Sequence, residues 1–286
     1  ETLDVFSKYY GSRTNRQNDI NLEADDSAVL LMENLTLSGY KIRERRKGLN
    51  LKHMEFTVIK LAQFHALAIV LKLLKPQVFK DTILKTCEKF TLGIPQDHET
   101  NQKVTKNIIG YIKTISECVP YVEAVEKMIQ EDMNMRKERI EALAIEPFAT
   151  MVHNDFWVNN MMFKYEQYSN ETNNLKNEEI PIAIKFIDFQ ITIYESPVRD
   201  LLFFLFTSSE DGLIDKYFDH LINLYHMKFI TVLKTFDCDI TPFSYKHFQE
   251  EINTIAPREF MHILYLLNPI SADSENMEDI SNFDKD

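Results

Sequence analysis

Two short runs of branched, aromatic and sulfur-containing residues, Met161-Met162-Phe163-Lys164-Tyr165 and Ile182-Ala183-Ile184-Lys185-Phe186-Ile187, constrain this chain more than any other feature. Runs of this length and composition read as strands. The segment between them, Glu166 to Ile180, is rich in asparagine and glutamate and reads as an exposed, mobile hairpin loop. Most of the remaining sequence has helical spacing, so the expected fold is α+β: a mostly helical body bearing one short hairpin. Polar residues gather at the hairpin's ends, with His153, Asp155 and Asn160 leading into the first strand and Asp188 leaving the second. An antiparallel return brings the end of the second strand beside the start of the first. Asn160 and Asp188 then share one end.

That order of side chains implies a chemistry. Alone, Asp155 would read as a surface or helix-capping aspartate, because an H-x-D triplet is common by chance. The joint order, an aspartate, an asparagine five positions on and a second aspartate after a later strand, is that of a phosphoryl-transfer site. Asp155 would accept the proton of an attacking hydroxyl, and Asn160 and Asp188 would hold magnesium. His153 is read as a hydrogen-bonded scaffold for the loop, and Trp157, the single tryptophan, as packing beneath it. A zinc site on His153 and Asp155 lacks a third ligand. His65 sits on an apolar helical face and reads as a satisfied core histidine. Asp200, ahead of an apolar helix, either caps that helix or accepts backbone hydrogens from the loop, and is read as an organiser of the site. No G-x-S-x-G elbow is present.

Composition narrows the partners. The 286 residues are 44% hydrophobic and carry a net charge of −12, so a nucleic-acid backbone would be repelled. The basic cluster Lys41 to Lys47 is interrupted by Glu44 and reads as a solvated loop. Cys87, Cys118 and Cys238 have no metal-ligand or redox spacing, which fits a reducing, cytoplasmic setting. The apolar runs are short, so no transmembrane helix, signal peptide or membrane partner is expected. The chain opens on Glu1 and not on methionine, which suggests a fragment.

Along the chain, Ala28 to Met32 reads as a buried strand leading into the polar Glu33-Asn34. Leu61, Phe64, His65, Ala68 and Leu71 mark a core-facing helix from near Lys52 to Pro76. Further helices are expected at Asp81 to Phe90, within Thr100 to Cys118, and from Pro120, placed at the first helical position, to before Pro147. Helices resume after Pro197, with apolar faces at Leu201 to Phe206 and Tyr217 to Phe229, and the acidic last dozen residues are expected to fray.

With these residues assembled, the chain resembles the ecdysteroid kinase-like (CHK kinase-like) family, a branch of the choline kinase and aminoglycoside phosphotransferase group within the protein-kinase-like fold. Leu30 to Leu35 resembles the hinge between lobes, and Leu61-Ala62-Gln63-Phe64-His65-Ala66 the family's Leu-Ala-x-x-His-Ala helix. Trp157 to Phe163 resembles the catalytic loop, Phe186 to Gln190 the metal-binding strand-loop, and Ser196 to Leu201 the segment after it. The resemblance implies transfer of the ATP γ-phosphate to a hydroxyl of a small molecule, ecdysteroid-like or another hydroxylated metabolite. Asp155 would be the base, with Asn160 and Asp188 on Mg2+, and the Glu33 carbonyl and Leu35 amide would meet adenine. Two departures stand out. Asn154 replaces a common glycine, and only some thirty residues precede the hinge, with no phosphate-covering glycine cluster and no assignable ATP lysine. On this comparison residues 1–35 are the remnant of an N-terminal lobe that is largely missing, and residues 36–286 are the C-terminal catalytic lobe. The alternative is an inactive truncated pseudokinase, or a small-molecule-binding protein of the same fold.

Overall fold

The computed structural model describes residues 3–17, 22–87, 98–141, 144–166 and 180–271. It is mixed α+β, mostly helical with small sheets. Two compact units emerge, Glu1–Arg43 with Asn159–Asp188, and Glu44–Val158 with Phe189–Asp286.

The first unit holds two hairpins. Strands β1 (Tyr9–Arg13) and β2 (Val29–Met32) pair antiparallel with an irregularity between Tyr9 and Gly11. The expectation of a buried strand here is corrected: Val29, Leu30, Leu31 and Met32 are all exposed. Branched side chains favour extended backbone whether or not anything covers them, so composition alone does not report burial. In the same unit, β4 (Met161–Tyr165) pairs with β5 (Pro181–Phe186), opening on the Met161↔Phe186 pair. Lys41 extends this sheet by exchanging both backbone hydrogen bonds with Phe163, at 2.8 and 2.9 Å. Leu35, Tyr40 and Met162 form the unit's small buried cluster, with Ala183 and Ile187 against it. Apart from Glu166 and Ile180, the expected mobile loop lies outside the described residues, as does the expected frayed tail.

The second unit is built on α1 (Leu51–Leu74), capped by Asn50, whose side-chain oxygen accepts the His53 amide at 3.2 Å. By length and composition α1 could cross a membrane, with hydropathy 1.6 over its most apolar window, yet 61% of that window is buried inside the protein, as in a core helix. Past Leu74 the chain turns at Lys75 into α2 (Pro76–Val78) and a π-helical turn, Phe79–Leu84. The helix expected at Asp81 to Phe90 is therefore displaced toward the N-terminus, since Pro76 restarts helical structure immediately after ending α1. Its last residues, from 88 on, lie outside the described residues.

Helix α3 (His98–Ile112) leads through a 3-10 turn, Ser116–Tyr121, into α4 (Val122–Glu141). Pro120 lies inside that turn and not at the first position of α4, a second correction. Proline lacks the amide that a continuing helix would use, and the turn tolerates this. Strand β3 (Thr150–Val152) pairs antiparallel with β6 (Ile193–Glu195), and α5 (Val198–Ser208), α6 (Leu213–Thr235) and α7 (Tyr245–Ser271) follow. Helix α1 packs along α6, and α5 along α7. Phe148 is buried among Phe229, Phe243 and Phe248, with ring centroids 5.4–6.2 Å apart. A second cluster joins Ile109, Ile112, Val125 and Ile129 to Met261 and Leu264 of α7.

Two sets of contacts fasten α1 and the segment before it to the rest of the unit. Lys72 of α1 donates to the Ala149 carbonyl at 2.6 Å, to Glu146 at 2.7 Å and to the Tyr194 hydroxyl at 3.1 Å. Gly48 has φ +69°, and a Cβ there would meet the backbone of Ser209 and Glu210 at 2.5 Å. Only glycine allows both the left-handed turn and that approach. The approach lets Leu49 bond to Ser208 and Glu210, at 2.7 and 3.1 Å.

Candidate active site

The loop after β3 carries Asp155 and belongs wholly to the second unit. Strand β3 ends at Val152, and His153 and Asn154 then turn the chain, Asn154 in the left-handed region at φ +68°. Asparagine tolerates that region better than most residues, so it can stand where a glycine is common. Asp200, in the first turn of α5, takes both loop amides: His153 N–H at 2.6 Å on Oδ2 and Asn154 N–H at 2.8 Å on Oδ1. Helix α5 has Pro197 at its N-cap position and no side-chain cap bond there, so the alternative in which Asp200 caps the helix is not the geometry found.

Asp200 is 1% exposed and His65 fully buried, and His65 Nε2 lies 3.1 Å from Asp200 Oδ2. Burial alone would raise the Asp200 carboxyl, but the hydrogen bonds it accepts from the His65 ring and the His153 amide hold the group below the ordinary carboxylate range. For His65, burial dominates and lowers the imidazole pKa although Asp200 opposes it. The pair is thus an ionised carboxylate beside a neutral imidazole. His65 is fixed again at Nδ1, 2.7 Å from the Tyr225 hydroxyl, and at its carbonyl, which accepts the Thr150 hydroxyl at 3.0 Å.

Aromatic rings close around the loop. The His153 ring lies 4.7 Å from Phe189 and 5.7 Å from Phe156, and Phe189 in turn packs on Phe64 at 6.0 Å. Asp155 and Trp157 are half-buried, between the buried His153, Phe156 and Val158. The Val158 amide donates to Ser208 Oγ at 3.0 Å, anchoring the far side of the loop to the end of α5. Phe189, Ser208 and Tyr225 were not singled out from the sequence. Phe189 was within reach, because it directly follows Asp188.

Asn160 and Asp188 belong to the first unit. Asn160 is buried and precedes the Met161↔Phe186 pair, and its carbonyl accepts the Ile187 amide at 3.0 Å. Asp188 follows directly, exposed, at φ +67°, an uncommon angle for a residue with a Cβ. The hairpin therefore brings Asn160 and Asp188 to one end. Asp155, His153 and Asp200 form a separate group in the other unit. Glu33 and Leu35 lie in the first unit after β2. The Glu33 carboxylate accepts the Ser38 hydroxyl at 2.5 Å and the Lys8 amide at 3.3 Å, while the Leu35 carbonyl accepts the Tyr40 amide at 3.0 Å. Neither the Glu33 carbonyl nor the Leu35 amide takes part in a hydrogen bond among the described residues.

Among the described residues no three His, Cys, Asp or Glu side chains cluster as a metal cage. Magnesium does not require one, since it commonly takes one or two carboxylates together with waters and substrate phosphates. An aspartate and an asparagine at one hairpin end offer hard oxygen ligands, so the residues fit in chemical kind.

The sequence model of the ecdysteroid kinase-like family matches residues 2–238, most of the chain. The chain belongs to this family. No individually curated protein matches it. Membership in the ecdysteroid kinase-like family implies a kinase-like fold, a small-molecule phosphotransferase and use of ATP. In this member α7, whose Met261 and Leu264 complete the second core cluster, lies beyond the matched residues.

Proposed function

We propose that this protein transfers the γ-phosphate of magnesium-bound ATP to a hydroxyl of a small molecule, an ecdysteroid-like sterol or another hydroxylated metabolite. Asp155 accepts the proton of the attacking hydroxyl, and Asn160 and Asp188 hold the metal. The Glu33 carbonyl and the Leu35 amide read the adenine. When bound, magnesium would neutralise the charge of the transferring phosphates. His153 and Asp200 shape the loop and take no part in bond making.

The observation that carries this reading is the pair of loop amides held by Asp200, next to Asp155 in a chain whose family is one of kinases. A buried carboxylate that binds consecutive backbone amides fixes the backbone course on which Asp155 sits. Such preorganisation suits a group that must meet a substrate hydroxyl at hydrogen-bond distance. The three cysteines are free, and burial pushes the Cys87 thiol up to about 11, away from reactive thiolate. We propose in addition a cytoplasmic location, in keeping with the free thiols, and a small-molecule partner in place of nucleic acid, which the net charge of −12 would repel, or membrane.

Two assays test the reading. Magnesium-ATP should raise the melting temperature of the full chain, and Asp188→Ala should abolish the rise. Hydroxylated sterols, choline-like amines and plant glycosides, each incubated with ATP, should reveal a phosphorylated product by mass spectrometry. A nucleotide-induced shift without product from any acceptor would favour a binding protein of the same fold. An unchanged shift in Asp188→Ala would remove Asp188 from the metal.

A further inference from the structure

Tyr225 of α6 is fully buried, stacks on Phe248 with ring centroids 5.5 Å apart, and reaches His65 Nδ1 with its hydroxyl at 2.7 Å. An aromatic core explains the ring and leaves the hydroxyl to be explained. The neutral His65 ring carries one proton. Its Nε2 faces Asp200 Oδ2 at 3.1 Å, and a carboxylate lowered in pKa offers only lone pairs there, so the proton sits on Nε2. Nδ1 is then an acceptor. Burial pushes the Tyr225 phenol well above its ordinary value, so it keeps its proton and donates to Nδ1. In the opposite tautomer a ring lone pair would face the carboxylate.

We propose that Tyr225 is a positioning residue for the loop carrying Asp155. Its hydroxyl donates to His65 Nδ1 and selects the tautomer that donates from Nε2 to Asp200. Asp200 then holds the amides of His153 and Asn154. The line from Tyr225 to the loop uses four hydrogen bonds, all within one compact unit, and joins residues 160 and 135 positions apart before it reaches the loop. Tyr225 touches no reacting atom in this arrangement.

The consequence for catalysis rests on the proposed role of Asp155, whereas the tautomer and the loop's protection do not, so the two can fail separately. In full-length protein labelled with 15N-histidine, ring 1H–15N correlations near neutral pH should show His65 as the Nε2–H form. Finding the Nδ1–H form in the unaltered protein overturns the proposal and requires no variant. Tyr225→Phe keeps the ring and its stacking and removes only the hydroxyl. Amide exchange at His153 and Asn154 should then accelerate by about tenfold while the amide of Leu221 in α6 keeps its rate. Unchanged exchange at the two loop amides in a folded Tyr225→Phe protein also overturns it. Given an accepted substrate, the same variant should lower kcat and leave the KM for magnesium-ATP in place, and a change confined to KM would count against positioning.

Discussion

The Asp200 carboxylate accepts the amide hydrogen of His153 at 2.6 Å across 47 residues of sequence, with both residues buried. Asp200→Ala removes the acceptor for two amides and the partner of His65 in one step. The three buried donors left without an acceptor cost about 1–3 kcal/mol each, and in a protein of this size that lowers Tm by on the order of 10 °C. Asp200→Asn keeps the shape but brings an amide N–H against the donors that Asp200 accepts, so it should recover less than half of the loss. Thermal unfolding of the two variants measures both effects, and near-wild-type melting of Asp200→Ala would contradict the network.

Acid should weaken the fold before the ordinary carboxylates titrate. His65 and His226 both have folded pKa values lowered, chiefly by burial, although Asp200 opposes this for His65 and the Phe243 carbonyl for His226. An unfolded histidine takes up a proton near pH 6.5, while these remain neutral, so the unfolded state binds more protons as pH falls below that value. Stability is then full above about pH 6.5 and declines as pH drops toward the folded values. Asp200, also lowered, adds its own loss at still lower pH. Tm measured from pH 7.5 to 5 should fall, and His226→Gln should flatten part of the slope. A Tm that rises with acid would have the wrong sign for two buried neutral imidazoles.

Asp155→Asn separates base from ligand. With the metal and nucleotide groups placed on other residues, this variant should keep its magnesium-ATP melting shift while kcat falls by about 10²–10⁴-fold, the usual contribution of a general base. Isothermal titration of nucleotide alongside turnover makes the comparison. Normal phosphorylation by the variant would end the assignment of Asp155.

The sequence made some of this legible for a local reason. The short runs of branched, aromatic and sulfur-containing residues around Phe163 and Ile184, and the helical spacing of Leu61, Phe64 and Ala68, are short-range patterns, and β4, β5 and α1 appear within a residue or two of them. His65 was readable as a satisfied core histidine because it lies on an apolar face. Its partners were not, since Tyr225 and Asp200 come from other helices and no periodicity links them. The strand Val29–Met32 was legible as extended backbone but not as exposed, because composition reports what a residue prefers and not what lies above it. Pro120 misled for a similar reason: proline suits the first position of a helix and a 3-10 turn alike.

Gly48 makes a different kind of demand on the chain. Its missing side chain lets the backbone pass 2.5 Å from where a Cβ would strike Ser209 and Glu210, beside Ser208, whose hydroxyl holds the Val158 amide. Gly48→Ala would suffer both the left-handed strain and the collision, for a cost of about 2 kcal/mol or more and a Tm loss on the order of 5 °C. The amide of Val158 should lose exchange protection in the same variant. A hydrogen atom at position 48 is thus a tolerance built into the molecule: the loop's downstream anchor can keep its place only while a residue more than a hundred positions upstream remains the smallest there is.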